Sequence, residues 1–340
     1  MSTELLKKIK SKSNDHQVKI YISRFQFIFF SQIPKPLNFI SQEILGNDPD
    51  YVLIETSRFK DSLTDISNEN EEYGKYNIWE GNTPPFKLKV SEEDGSTMVI
   101  HMPAEKNVKN NKAVLLVPGG GYGVAMVGLP IKFGKRLQEE GYEVFILDYR
   151  VAKNGYHYPI QFQEVTRAMK WVKSKGKTWG FQANKTGVVG FSAGGHLASF
   201  LATRFDLEPY EELDEIDQIS SRPAYHGLVY PVISFDKDIA HNGSVVNLTG
   251  KNNPSDEERS YFSNDLHVKE NTPEAFIVHS WEDSAVVAEN SMRYFQALRK
   301  NGVRSTLHLF EHGPHGVGMG KPGMDFSFWP EMMIFWMNSR

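Results

Sequence analysis

The chain has no cysteine among its 340 residues. Disulfide frameworks, thiolate nucleophiles and Cys-ligated zinc are therefore excluded, although the absence does not identify a compartment. No stretch combines the length and apolarity of a membrane span. The run at 18–33, VKIYISRFQFIFFSQI, comes closest, and Arg24 and Gln26 interrupt it. Lys7, Lys8, Lys10 and Lys12 precede it as in a signal peptide, but no small-residue cleavage site follows. The run is read as an amphipathic strand or helix packing on the domain, and the protein is expected in the cytoplasm. Excess positive charge is missing too. With a net charge of −4 and no basic cluster interleaved with aromatics, nucleic acid is not an expected partner.

What is present is an α/β chain with an unlike N-terminal part. Residues 1–75 are rich in Lys, Ser, Asn, Asp and Glu, include the polar stretch Asp61–Glu72, and carry no recognisable chemistry. From 76 to 340 the pattern becomes regular, which predicts a single catalytic domain there. Ala113–Val117 is a continuous apolar run of strand length, followed by Gly119-Gly120-Gly121-Tyr122-Gly123. A helix is expected over 130–140, with Ile131, Phe133 and Leu137 apolar and Gly141 as its stop. Glu143–Leu147 reads as the next strand. Pro159 opens a helix to about Lys175 with Phe162, Val165, Met169 and Val172 on one face. Thr186–Phe191 (strand), 193–203 (helix), Leu228–Val232 and Ala275–Val278 (strands) follow. Val286–Asn301 reads as a helix stopped by Gly302, and Val303–Phe310 as the last strand. Such alternation predicts a mostly parallel sheet covered on both faces, with sites at the carboxyl ends of the strands.

The most informative stretch is TGVVGFSAGGHLASF at 186–200. It sets Gly190-Phe191-Ser192-Ala193-Gly194 between an expected strand and an expected helix, the context of a nucleophile elbow. So tight a turn requires neighbours nearly free of side chain, hence Gly190 and Gly194. The serine hydroxyl is lifted to a helix N-terminus, where the backbone dipole favours developing negative charge.

A serine hydroxyl needs a base, and the base an orienting acid. Position must choose among eleven histidines. The loop after the last strand, Glu311-His312-Gly313-Pro314-His315-Gly316, holds two. His315 is preferred because it lies deeper in the loop with glycine after it, and His312 reads as a partly exposed loop residue. The acid should fall between serine and histidine in chain order. Glu282 and Asp283 both qualify, and Asp283 is preferred because Val286-Val287 would anchor its loop. For the oxyanion, one donor should be the Ala193 N–H, and the loop Gly119–Gly121 is placed to supply another. Two rival readings are weaker. The cluster 121–126 lacks the third glycine of a dinucleotide turn, and His308, Glu311, His312 and His315 lack the helical spacing of a zinc motif. No cofactor or metal is expected.

Together, Val117-Pro118-Gly119-Gly120-Gly121-Tyr122, Asp148-Tyr149-Arg150, Gly190–Gly195 and the Asp283/His315 pair resemble the α/β-hydrolase esterases of the hormone-sensitive-lipase and acetyl-xylan-esterase-like (BD-FAE-like) group. The resemblance covers roughly residues 76–320, with the motifs in family order. It implies an α/β-hydrolase fold with Ser192 as nucleophile, His315 as base and Asp283 as its acid. It also implies an oxyanion hole of Gly120, Gly121 and Ala193. Segments 230–234, 241–244 and 247–250 resemble those of bacterial xylan or sugar-acetyl esterases. Two departures stand out: Pro118 replaces the histidine of lipase-like relatives, and Glu164 stands where relatives carry Asp. The implied activity is hydrolysis of short-chain, chiefly acetyl, esters on a carbohydrate such as acetylated xylan or an oligosaccharide. An oligopeptidase-like serine peptidase would need a large accessory domain, and a non-catalytic binding module would need a lost triad. Trp281, Tyr122, Tyr156 and Tyr158 are aromatics suited to stacking on sugar, though each is read first as a packing residue. A homo-oligomer is left open.

Overall fold

The computed structural model describes residues 18–23, 27–28, 51–56, 73–82, 97–105 and 108–340. The chain divides into two compact units, Met1–Glu72 and Tyr73–Arg340. In the first, β1 (Val18–Ser23) pairs antiparallel with β2 (Phe27–Ile28) and β3 (Tyr51–Thr56). The run 18–33 is thus strand where it is described. The polar stretch 61–72 and the packing of that run lie outside the described residues.

The second unit is built on an eight-stranded sheet. Its strands are β4 (Gly74–Asn77), β5 (Met98–Met102), β6 (Ala113–Val117), β7 (Glu143–Asp148), β8 (Thr186–Phe191), β9 (Tyr225–Val229), β10 (Glu274–Ser280) and β11 (Ser305–Phe310). Their spatial order is β4-β5-β7-β6-β8-β9-β10-β11. β4–β5 and β5–β7 pair antiparallel, and all pairs from β7 to β11 are parallel. Strand order reverses at β6, so a crevice opens between the carboxyl ends of β6 and β8, where open α/β sheets place their ligands.

β6 is apolar at every position because both faces of the sheet are covered. Ala113, Leu115 and Val117 pack with residues of α2 (Ile160–Ser174), α3 (Ala193–Thr203) and α6 (Glu289–Lys300), among them Val165, Leu197 and Leu298. Val114 and Leu116 face the opposite layer, where α1 (Gly128–Glu139) supplies Phe133 and Leu137, and α7 (Trp329–Asn338) supplies Trp329 and Met333. Each such leucine, fully buried, contributes about 1.5–3 kcal/mol. α1 ends as its sequence implies: Gly141 takes φ +84° and donates to Gln138 O at 2.9 Å. Phe162, Val165, Met169 and Val172 all lie in the core, as the periodicity of α2 requires.

Three expectations are corrected. β9 runs Tyr225–Val229 rather than Leu228–Val232, because the backbone turns at Tyr230 (φ +38°) and Val232 N–H goes to Ser192 O at 3.0 Å. The helix expected from Val286 starts at Glu289, since Val286 N–H is taken by Asp283 Oδ1. β11 starts at Ser305 rather than Val303, whose N–H closes the preceding helix on Leu298 O. Two shorter helices, α4 (Asn242–Thr249) and α5 (Asp256–Phe262), lie between β9 and β10.

Candidate active site

β8 delivers Ser192 into a turn of its own making. Ser192 takes φ +54°, a conformation costing a non-glycine residue on the order of 1–3 kcal/mol. The turn is held by Ser192 N–H on Val229 O at 3.0 Å and by Ser192 O accepting from Gly195 and Val232. A Cβ on Gly190 would lie 2.2 Å from Gly194 O, and one on Gly194 2.1 Å from Val117 O. Both glycines are required by close backbone approach, as read from the motif.

From the loop after β11, His315 Nε2 lies 2.8 Å from Ser192 Oγ, and its Nδ1 lies 2.6 Å from Asp283 Oδ2. An ionised carboxylate only accepts, so Nδ1 carries the proton and Nε2 is left to accept from the serine. Tyr230 sets its ring edge-on to His315 at 5.1 Å between centroids. Asp283 is buried at the end of β10, where Ala285 N–H and Val286 N–H donate to Oδ1 at 3.1 and 2.9 Å. Burial pushes its carboxyl upward, but hydrogen bonds from His279, His315 and the Val286 backbone outweigh burial and hold it well below the usual range.

His279 was not singled out in the sequence. Its Nε2 meets Asp283 Oδ2 at 3.2 Å and Val286 O at 2.8 Å, both acceptors, so it donates there while Nδ1 faces Ser291 Oγ at 2.7 Å. This fully buried ring therefore fixes the carboxylate from behind. Nothing in its neighbourhood marks it out except its place four residues before Asp283. Glu282, the alternative acid, instead accepts Gly313 N–H at 3.0 Å and so braces the histidine loop. His312 is apart from the serine, with its backbone N–H on Asp325.

The glycine loop after β6 lies directly on the elbow: a Cβ on Gly119 would be 2.9 Å from Ser192 Cβ. Gly120 and Gly121 take φ +121° and +58°. The carbonyls of this loop are all engaged. Pro118 O accepts from Tyr149 OH at 3.0 Å, Gly119 O from Met126 N–H, and Gly120 O from Gly123 and Val124 N–H. Gly121 O accepts from Asn247 Nδ2 at 2.8 Å, and Tyr122 O from Ala152 N–H at 2.9 Å. By contrast, the N–H groups of Gly120, Gly121 and Ala193 have no protein acceptor among the described residues. Fixed peptide planes with open N–H groups suit an incoming anionic oxygen.

The motif Asp148-Tyr149-Arg150 touches this loop through Tyr149. Arg150 is paired in the core with Glu164, which also accepts Arg150 N–H at 2.8 Å and bonds Thr97 Oγ1. Burial pushes the Glu164 carboxyl up, against the pull of Arg150. Breaking such a buried pair from one side costs about 3–5 kcal/mol. Tyr122, at φ +62°, is anchored by its hydroxyl on His196 Nδ1 at 2.7 Å, and His196 Nε2 donates to Phe262 O at 2.6 Å. Burial drives His196 down to about 3, so it is neutral there. Tyr122 and Tyr156 are core residues, as the packing reading has it, whereas Trp281 and Tyr158 are exposed.

The residues of the rival metal reading are dispersed. His308 packs on Phe276 while His315 faces the serine, and no group of three suitable ligands occurs among the described residues. The glycine cluster leads into a turn, with α1 starting only at Gly128, unlike a dinucleotide-binding strand–turn–helix.

An eight-stranded, mostly parallel sheet with helices on both faces and a serine elbow after β8 defines an α/β hydrolase. The BD-FAE family model matches residues 98–298, and the chain belongs to that family. The solved acetyl ester-xyloside bifunctional hydrolase of Caldicellulosiruptor lactoaceticus is 31% identical, with a TM-score of 0.69 over 78% of this chain and 96% of that one. An acetylxylan esterase of Xylanibacter ruminicola is 30% identical over 69% of this chain and 46% of its own length. Endo-1,4-beta-xylanase B of Butyrivibrio fibrisolvens is 30% identical over 74% of this chain and 39% of its own length. The chain thus spans less than half the length of either of those relatives. Among the described residues, no helix is long and apolar enough to cross a membrane.

Proposed function

We propose that this chain is a serine carboxylesterase that removes short acyl groups, acetate foremost, from a carbohydrate. The observation that carries the reading is the hydrogen-bonded series Ser192 Oγ, His315, Asp283, with distances of 2.8 and 2.6 Å. The acetyl ester-xyloside hydrolase and acetylxylan esterase relatives support the sugar and the acyl group. Residues 76–340 would carry the chemistry.

In this mechanism His315 Nε2 takes the hydroxyl proton as Ser192 Oγ attacks the ester carbonyl carbon. The carbonyl oxygen becomes anionic and is held by N–H groups of Gly120, Gly121 and Ala193, each donor worth about 2.7–4 kcal/mol in the transition state. The imidazolium, stabilised by Asp283, passes its proton to the departing alcohol oxygen, and the C–O bond breaks to leave an acyl-enzyme. Water then gives a proton to His315 and attacks the acyl carbon. Proton return to Ser192 releases the carboxylic acid.

The test is hydrolysis of p-nitrophenyl acetate, butyrate and octanoate, and of acetylated xylan, by wild type and Ser192→Ala. Preference for acetate, release of acetate from xylan, and loss of turnover in the variant by roughly 10⁴–10⁶-fold are expected. Turnover by Ser192→Ala close to wild type would overturn the nucleophile. Preference for octanoate would overturn the acyl assignment.

A further inference from the structure

α4 opens on an unusual cap. His241 Nδ1 accepts Ser244 N–H at 3.2 Å and lies 2.9 Å from Ser244 Oγ. A ring nitrogen that accepts a backbone N–H carries no proton, so the neutral ring holds its proton on Nε2. That Nε2–H has no acceptor among the described residues. Serine, threonine, aspartate and asparagine are the preferred caps, and asparagine would satisfy Ser244 equally well. What imidazole adds is a second nitrogen with a donor to spare.

The place of that donor is informative. His241 Cε1 lies 3.6 Å from where a methyl group on Gly121 would project, so the ring borders the glycine loop. The half-buried ring also senses the charges of His315 and Asp283. Burial first, and then His315, hold its pKa below the ordinary value, while Asp283 opposes them, so the ring is neutral around pH 7. The departing alcohol must sit beside His315, which protonates it. The ring that carries this N–H thus borders the glycine loop and lies within electrostatic reach of His315, the residue beside which the alcohol half must sit.

We propose that His241 is a specificity-determining residue whose Nε2–H donates to a hydroxyl or ring oxygen of a polyhydroxylated alcohol half, a sugar, bearing the ester. This rests on the esterase reading above and adds a residue that selects the alcohol rather than the acyl group. A hydroxyl-poor alcohol gives that donor no partner, and leaving it unpaired is the source of discrimination.

His241→Asn separates the two duties of the ring: the amide oxygen can still accept Ser244 N–H and cap α4, while the Nε2–H is removed. The experiment compares kcat/KM for acetylated xylobiose with kcat/KM for p-nitrophenyl acetate, whose alcohol half has no hydroxyl to offer. The ratio of the two is expected to fall about tenfold or more, chiefly through KM on the sugar ester. Thermal melting and labelling of Ser192 by a serine-reactive phosphonate establish that the variant is folded and its elbow intact. An unchanged ratio overturns the proposal, as does an equal fall on both substrates, which would assign His241 to shaping the glycine loop. Wild type that cleaves p-nitrophenyl acetate but not acetylated xylobiose would instead refute the sugar assignment itself, and this proposal with it.

Discussion

Gly194→Ala sets two physical effects against each other. Gly194 lies in the first turn of α3, where alanine would ordinarily gain about 1 kcal/mol over glycine in helix propensity. Its Cβ, however, would stand 2.1 Å from Val117 O and 2.5 Å from Pro118 O. Both are backbone oxygens, at and just after the end of β6, and cannot rotate aside, so the elbow and the glycine loop must separate. Overpacking of this kind costs about 1–3 kcal/mol and occasionally more, which outweighs the propensity gain. At about 2–4 °C per kcal/mol for a domain of this size, the net loss of up to about 2 kcal/mol lowers Tm by up to roughly 8 °C. The separation needed, about 1 Å, is of the size that costs about 10²-fold in turnover when reacting groups are misplaced. Circular-dichroism melting and kcat/KM on p-nitrophenyl acetate measure both quantities on one preparation. A raised Tm with undiminished kcat/KM would refute the steric account of the elbow.

Other expectations can be checked independently. Asp283→Asn would place an amide donor against His315 Nδ1 and favour the wrong tautomer, so kcat at pH 7 should fall about 10⁴-fold with Ser192 still in place. Asn247→Ala removes the side chain that holds Gly121 O at 2.8 Å, and a fall of about tenfold in kcat, with little change in Tm, is expected. His196 and His226 are buried and neutral, each driven down to about 3 by burial. Their unfolded forms protonate near 6.5, so the unfolded state binds more protons below that pH. Stability present above about 6.5 is therefore lost as pH falls toward 3, on the order of 2 kcal/mol per histidine by pH 5. Chemical denaturation at pH 7.5 and 5 should show this loss, and a smaller one in His226→Gln; equal losses would contradict it.

The parts legible in the sequence were those with a local physical cause. The apolar run at β6 follows from burial on both faces, the end of α1 from a left-handed Gly141, and the Ser192 turn from glycines that close approach demands. Chain order was enough to bring Asp283 and His315 to attention, because each follows a strand whose carboxyl end lies on one side of the sheet. Less legible were features made by packing between distant segments. α2 buries its polar face as well: Arg167 pairs with Asp214 and Asp217, and Lys170 with Glu208, partners 38 to 50 residues away in the chain. α7, WPEMMIFWMN, is apolar on nearly every side and shows no clean helical period. His279 looks like any other histidine until the fold sets it behind Asp283, and His241, though in the segment 241–244 that resembles sugar esterases, has no assigned role until the fold sets it beside Gly121. Two of the four aromatics suited to sugar, Tyr122 and Tyr156, turned out to be core residues, since an aromatic near a glycine loop reads alike in either role.

The central claim is an acyl-enzyme on Ser192, and rapid mixing with p-nitrophenyl acetate tests it most directly. A burst of p-nitrophenol stoichiometric with enzyme, with an acetyl adduct mapped by mass spectrometry to the peptide containing Ser192 and absent in Ser192→Ala, is the predicted result. An equal burst in the variant, or acetyl found on another residue that turns over at the steady-state rate, would contradict it.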